Sequence, residues 1–494
     1  MTFPLEPIVM VSTLDGPQLE LTLWARMCDE ALAAGDRMIT LFGRVAPHDT
    51  VCVTAVLLGA EGPLRVLRAH APRGASFSSL TPRHPCMQMF ERELWEQTGL
   101  TPEGHPWLKP VRFEGARQQR MTAYPFFSVR GHDVHEVGVG PIHASVIEPG
   151  HFRFMCHGER VQHLEIQLGY QHRGVEALLL QRPPHALTSL VETVVGDSSI
   201  AYAWGYCTAL EVLSGVQAGA RAELVRGVAL ELERVAMHLS SLTGLTTDAA
   251  FLQGGATYGR LRTAVINASM RVCGSRFGRG WLRPGGVRFG ITETLRQDLR
   301  HTLGLVAKDI AEVNDLVLKA RSVRSRLRGV GILSTQAARE IGMVGLAGRA
   351  SDVGFDTRAA LPGRLYQAHP VAALTETTGD CWSRMKLRMR EIDASLGWVA
   401  DVLEQPGLDV PTAQILPQGM LRPNTLCVSL REGFRGPVVQ ILETGADGHL
   451  VHHKVQDPSM LNWFGVALAM RENAISDFPI CNKSFDLSYC GNDI

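Results

Sequence analysis

Not one Cys-x-x-Cys occurs in this chain of 494 residues, although it holds ten cysteines: Cys28, Cys52, Cys86, Cys156, Cys207, Cys273, Cys381, Cys427, Cys481 and Cys490. Metal centres built on sulfur need thiolates grouped at short spacing, so neither a structural zinc nor an iron–sulfur cluster held by this chain alone is expected. Scattered single cysteines act instead as small buried hydrophobes. No apolar run approaches the roughly 20 residues that span a bilayer. The opening Met-Thr-Phe-Pro-Leu-Glu lacks the basic stretch of a secretory signal. The expectation is a chain on the cytoplasmic side that could still dock, peripherally, on a complex of the inner (plasma) membrane. Net charge is missing too, 49 Lys+Arg against 49 Asp+Glu, which argues against nucleic acid or an anionic membrane surface as the main partner. The Gly-rich stretch 274–280 does not follow a strand and open a helix, so a freestanding NAD-dependent dehydrogenase is unsupported. If NADH is used, another subunit would bind it.

What is present reads as globular. The hydrophobic fraction is 45% and the charged fraction 20%, and the length has room for about two to four domains. A helix is expected over 17–35 with Asp15 as its cap, then strands over 38–45, 50–58 and 64–70 as an antiparallel meander. Long helices are expected over 183–215, 218–242 and 292–326, with more helix over 267–277 and after Gly379. In the second of these, Leu224, Val228, Leu232, Val235 and Leu239 recur at helical spacing on one face, while Glu231, Arg234 and His238 share another. Arg384 and Arg388 stand one turn apart. Residues 436–443 and 448–455 read as a hairpin.

The stretch His163 to Leu180 carries the densest chemistry. It begins as an alternating strand, turns at Gly169 and opens a helix beyond Gly174. Glu165, His172, Arg173 and Glu176 are set among apolar residues, where charges must find partners or line a polar pocket. A helix reaching back to Gln171 would place His172 and Glu176 one turn apart, a His–carboxylate pair fit for proton relay. The plainer reading is a clamp at the strand–helix junction.

The pattern Leu-Gly-Tyr-x-His-Arg-Gly-x-Glu in this stretch resembles one superfamily. It comprises the large subunit of energy-converting, formate-hydrogenlyase-type (group 4) NiFe hydrogenases and the 49-kDa-type, quinone-pocket subunit of NADH:quinone oxidoreductase, complex I. Gly140-Pro-Ile-His-Ala-Ser-Val-Ile-Glu-Pro-Gly-His-Phe-Arg-Phe and Asn482-Lys-Ser-Phe-Asp resemble the hydrogenase branch. Upstream, Phe90-Glu-Arg-Glu-Leu-Trp-Glu and Glu103-Gly-His-Pro look like the 30-kDa-type subunit of complex I. The resemblance implies an α+β fold: a small N-terminal α/β docking domain over 1–125, then a mainly helical hydrogenase-large-subunit-like domain with small β-sheets over 137–494. The segment 117–136 would link them.

The family's nickel–iron centre needs two Cys-x-x-Cys pairs. Anchored on Tyr206-Cys207, the first pair falls on Val195 and Ser198; anchored on Asp486, the second falls on Ser488 and Gly491. No NiFe centre is therefore expected. Relatives that lost the same thiolates use the cavity for quinone, but the pocket tyrosine of that branch falls here on Gly196. His143 and His151 are loose counterparts of that branch's pocket histidine, Glu148 joins them as a possible cavity residue, and in a quinone-binding subunit Asp197 with nearby histidines would polarise the headgroup. Three readings stay open. The first is a metal-free hydrogenase-like subunit working with an iron–sulfur small subunit, whose cluster would carry the electrons, above ion-translocating membrane subunits. The second is a quinone-binding subunit, and the third a non-catalytic scaffold.

Overall fold

The computed structural model describes residues 6–14, 19–60, 62–114, 120–410 and 421–494. It is an α+β protein, with long helices and several small sheets. Near the N-terminus the helix Leu21–Ala33 lies against an antiparallel meander of Arg37–Ala46, Thr50–Leu58 and Leu64–Pro72. The helix Gln88–Thr98 packs on the first of these strands and ends at Gly99 in the left-handed region, where glycine carries no Cβ penalty. The expected start of the first helix at Pro17, with its Asp15 cap, lies outside the described residues.

The strand Ile8–Ser12 does not join this meander. It pairs antiparallel with Thr425–Gly433, at the edge of a sheet completed by Gly436–Thr444 and Leu450–Gln456. The two sheets face each other: Ile39, Phe42, Val56 and Leu58 of the meander pack against Leu426, Val428, Leu430, Val439 and Ile441. Alternating apolar residues on both faces make this junction a core like that inside a domain.

The helical half is organised around Ala220–Asp248, which packs against Leu252–Cys273 and Cys381–Leu403. Val228, Leu232, Val235 and Leu239 are fully buried as the spacing predicts. Two expected long helices are interrupted. Residues 183–215 do not run continuously: Pro183 and Pro184 open the span with a 3-10 turn, and residues 192–197 are turn and bend rather than helix. A single turn, Thr188–Val191, follows, and the helix proper is Ser199–Ser214. The 292–326 span breaks at the extended Ala320 into Glu293–Lys319 and Arg321–Leu327.

A third sheet, Val134–Val139, His151–His157 and Arg160–Gln167, carries the densest stretch of the sequence. It leads through Gly174, at φ 63°, into the short helix Val175–Leu179. The tail ends in Phe478–Phe485 and Tyr489–Asp493, tucked against Pro458–Ala469.

Candidate functional site

The four positions where thiolates would fall converge on one buried place. Val195 and Ser198 lie in the turn that leads into the Ser199–Ser214 helix, Ser488 precedes the last helix, Tyr489–Asp493, and Gly491 lies within its first turn. Ser488 is that helix's N-cap, and its hydroxyl accepts from the Gly491 amide at 2.8 Å. Gly491 has no room for a side chain: a Cβ there would sit 2.5 Å from the Asp457 carboxyl carbon. Asp457 is fixed by capping Pro458–Ala469, accepting from the Ser459 amide at 2.8 Å, and by the Tyr202 hydroxyl at 2.6 Å. These residues do not fit a nickel–iron pair, because the donors are wrong and one ligand position is filled by a carboxylate.

An ion-pair cluster stands beside them. Asp197 receives both ends of the Arg435 guanidinium, at 2.7 and 2.9 Å, the bidentate geometry for which arginine is suited. Burial raises the Asp197 carboxyl, but the Arg435 charge outweighs it and holds the group below the usual carboxylate range. Arg435 also donates through Nε to the Asp486 carbonyl, and the Asp486 carboxylate accepts from Ser241.

Arg435 is presented by the turn between Thr425–Gly433 and Gly436–Thr444, and a second, wholly buried network holds that turn. Arg234 donates to the carbonyls of Glu432 at 2.6 Å and Gly433 at 3.0 Å. The Glu432 carboxylate accepts from Arg349 at 2.8 Å and from the Thr357 amide at 3.0 Å. Arg349 also binds Glu391 at 2.8 Å, which accepts from His238 at 2.9 Å. Arg358 joins Asp356 at 2.7 Å to Glu231 at 3.0 Å, and Glu231 returns to Arg234 at 3.0 Å. Burial pulls His238 down to about 4 despite Glu391, so its imidazole is neutral near pH 7. Gly345, at φ 60°, lies so close to this turn that a Cβ would overlap the Arg435 carbonyl.

The residues singled out in the sequence fall into separate groups. Glu165 is buried and bonded to Lys109 and, at 2.6 Å, to the Phe127 amide. Glu176 accepts from the Val455 amide at 3.0 Å and pairs with Lys454 at 2.9 Å. The expected His172–Glu176 contact does not form: the helix starts only at Val175, and the left-handed Gly174 breaks the register. His172 instead meets Glu114 at 3.2 Å through Nε2, while its Nδ1 bonds the Asp493 carbonyl at 2.9 Å. The Glu114 hydrogen bond raises the His172 pKa more than burial lowers it. Burial alone would push Glu114 up, but His172, Arg112 and Gln97 bring it down to about 2.

His172, Arg173 and Glu148 grip the C-terminal helix from three sides. The Asp493 carboxylate accepts from the Gly169 and Gln171 amides at 2.8 and 2.9 Å. Arg173 bridges the Val194 carbonyl at 2.7 Å and that of Cys490 at 3.5 Å, and Glu148 accepts from the Tyr489 amide at 3.4 Å. His143 and His151 each spend one ring nitrogen on their own loop, on the carbonyls of Gly150 at 2.8 Å and Gly140 at 3.1 Å. That loop lifts Ile142 and Val146 into solvent, 89% and 79% exposed.

Sequence reasoning reached Glu231, Arg234 and His238 through their helical spacing. It missed Arg349, Asp356, Arg358, Glu391 and Glu432, and it missed Arg435, Tyr202 and Asp457. Arg435 left no local signal, since its partner is 238 positions away.

Two family models match: the respiratory-chain NADH dehydrogenase 30 Kd subunit over residues 26–120 and the 49 Kd subunit over residues 255–414. Formate hydrogenlyase subunit 5 of Escherichia coli is 29% identical over 444 residues, covering 84% of this chain and 77% of that protein. The D-type subunit of NADH-quinone oxidoreductase from Carboxydothermus hydrogenoformans is 30% identical over 270 residues, 54% of this chain and 73% of that protein. A solved chain of the membrane-bound sulfane sulfur reductase, an archaeal respiratory membrane complex, shares the fold with a TM-score of 0.68 at 22% identity, covering 73% of this chain and 99% of that one. The chain therefore belongs to the family that unites the large subunits of group 4, energy-converting hydrogenases with the 49-kDa subunit of respiratory NADH dehydrogenase.

Proposed function

We propose that the chain is a metal-free large subunit of a membrane-associated redox complex. In this reading it docks on an iron–sulfur small subunit and takes part in electron transfer coupled to ion translocation by membrane subunits. The observation that carries it is the replacement of the metal site. The four ligand positions are Val195, Ser198, Ser488 and Gly491, and Asp457 occupies the space a fourth thiolate would need. The Asp197–Arg435 pair stands beside this place as a fixed dipole with a buried countercharge, able to stabilise charge that develops near it.

Two further features support a docked, peripheral role. Among the described residues no helix is long and apolar enough to cross a membrane. The 140–150 loop, whose base contacts the tail at Gly150 and Tyr489, exposes Ile142 and Val146, the kind of apolar tip that a partner covers. A quinone headgroup held by His143 and His151 is less favoured, because each has one ring nitrogen committed to a loop carbonyl.

The test is isolation of the tagged chain from its native membranes. Iron from a co-purifying iron–sulfur subunit is expected, with nickel far below one atom per chain and no hydrogen-dependent dye reduction. Stoichiometric nickel would overturn the metal-free assignment, and a chain isolated without any iron–sulfur partner would overturn the docking.

A further inference from the structure

Arg384 is a fully buried guanidinium with no carboxylate partner among the described residues. It donates to the carbonyls of Gly379 at 2.8 Å and Gly331 at 2.9 Å and to the Ser484 hydroxyl at 2.8 Å, and it lies 4.0 Å over the Phe485 ring. Its remaining polar neighbour is the Cys381 sulfur, 3.5 Å from Nη2. Arginine does not shed its proton, so a buried one needs an anion close by or a high desolvation cost goes uncompensated. Cys381 can be that anion. It is the first residue of the helix Cys381–Leu403, where the helix dipole favours a thiolate. The capping carboxylate of Asp380 is already engaged by the amides of Ser383 and Gly329, at 2.7 and 2.9 Å.

A second sulfur completes the arrangement. Cys481, on Phe478–Phe485, reaches the same point beside Gly331. A Cβ built on that glycine would lie 2.5 Å from the Cys481 sulfur, 3.0 Å from Arg384 Nη2 and 3.5 Å from the Cys381 sulfur. Ser484 ties the group together by accepting from Arg384 and donating to the Cys481 carbonyl at 2.6 Å. We propose that Cys381 and Cys481 form a redox-active dithiol, with Cys381 the attacking thiolate and Cys481 the resolving thiol, oxidised to an intramolecular disulfide by a hydroperoxide. This assignment is independent of the metal-free centre.

The chemistry balances in two steps. The Cys381 thiolate attacks one oxygen of hydrogen peroxide; an S–O bond forms, the O–O bond breaks and hydroxide leaves, giving Cys381 sulfenic acid. The Cys481 sulfur then attacks the Cys381 sulfur; the S–S bond forms, the S–O bond breaks, and the hydroxyl departs with the Cys481 proton as water. Two sulfurs together lose two electrons, and the peroxide takes them. The Cys481 S–H hydrogen bond, aided by the Arg384 charge, draws the Cys381 thiol down to about 6, whereas burial pushes the half-buried Cys86 and Cys490 up to about 11.

That contrast gives the test, because accessibility and thiolate character predict opposite orders. The full-length chain, isolated with its native partners, is treated with substoichiometric hydrogen peroxide at pH 7, quenched by alkylation and mapped by non-reducing peptide mass spectrometry. A disulfide joining the Cys381 and Cys481 peptides is expected to form at least about tenfold faster than oxidation of Cys86 or Cys490 and to disappear with dithiothreitol. In Cys481→Ser, Cys381 should instead be trapped by dimedone as sulfenic acid. Oxidation of Cys86 or Cys490 while Cys381 stays reduced would overturn the proposal. So would a disulfide that forms only after denaturation.

Discussion

Replacing His172 with glutamine isolates the charge in the His172–Glu114 pair. Glutamine retains bulk and an amide NH2, but it cannot become a cation, and its two N–H bonds sit on one nitrogen where His172 uses two, toward Glu114 and the Asp493 carbonyl. At a separation of 3.2 Å, two unit charges attract by about 5 kcal/mol at an effective dielectric of ~20. Desolvation of two half-buried groups offsets most of that, leaving a net loss of about 1–2 kcal/mol. The pH dependence follows from the direction of the shifts. The His172 pKa is raised above its unfolded value of 6.5, so its contribution is fully present below pH 6.5 and is lost as pH rises through the folded pKa. Glu114 is lowered from 4.5 to about 2, so its contribution is present above pH 4.5 and is lost as pH falls toward 2. The destabilisation by His172→Gln should therefore be largest between pH 4.5 and 6.5 and shrink toward pH 9. Urea unfolding of wild type and variant at pH 5.5, 7 and 9, followed by tryptophan fluorescence, measures it. A difference that is flat across this range, or grows toward pH 9, would refute the ion pair. In the complex proposed above, turnover and ion translocation would then decide between relay and clamp: a clamp loses activity only in step with assembly.

Two other predictions concern the buried network. Arg349→Met removes the cation shared by Glu391 and Glu432 and leaves two buried carboxylates uncompensated, so it should destabilise by about 3–5 kcal/mol; a thermal midpoint within a degree of wild type would contradict this. Gly345→Ala forces a Cβ into the Arg435 carbonyl at a positive φ. It should lower redox turnover of the complex more than Gly304→Ala, where an added Cβ meets nothing within 4 Å, whereas equal turnover for the two variants would argue that the turn has no role in the site.

How much of this was legible in the sequence depended on the range of each interaction. The strand Thr50–Leu58 is a short, nearly unbroken apolar run, and the buried face of Ala220–Asp248 a period-3.6 pattern; both signals act between near neighbours. The loss of the metal site was legible because four thiolates are a composition, and their absence needs no fold to detect. The single helix expected over 183–215 breaks at residues 192–198, where the Glu192 carboxylate accepts from the Gly280 amide and the Val194 carbonyl from Arg173, long-range partners that leave no mark in local spacing. The His172–Glu176 pairing failed for a subtler reason. Spacing of four residues places side chains together only on a continuous helix, and Gly174 adopts a conformation the sequence permits but does not compel. Glu114, the true partner, comes from the N-terminal segment and shares no local pattern with His172.

The same reasoning explains why the site is built from arginines and carboxylates rather than apolar filling. A protein that loses a buried metal and its thiolates can collapse the cavity or rebuild its charge. Around the four positions where thiolates would fall, charged and polar groups are paired instead: Arg435 meets Asp197, Tyr202 meets Asp457, and Ser488 caps the tail. Buried ion pairs add little net stability over well-packed apolar residues, so stability alone does not account for so many of them. What they do supply is fixed geometry. Glu391, Arg349, Glu432 and Arg234 form a continuous chain from the helix Cys381–Leu403 to the turn that presents Arg435. A change of charge or protonation at one end would be felt at the other through groups that have no water to reorganise around them. A scaffold with a merely filled cavity has no need of such a chain. The subunit proposed above, which would hold one charge in register beside a redox partner, does.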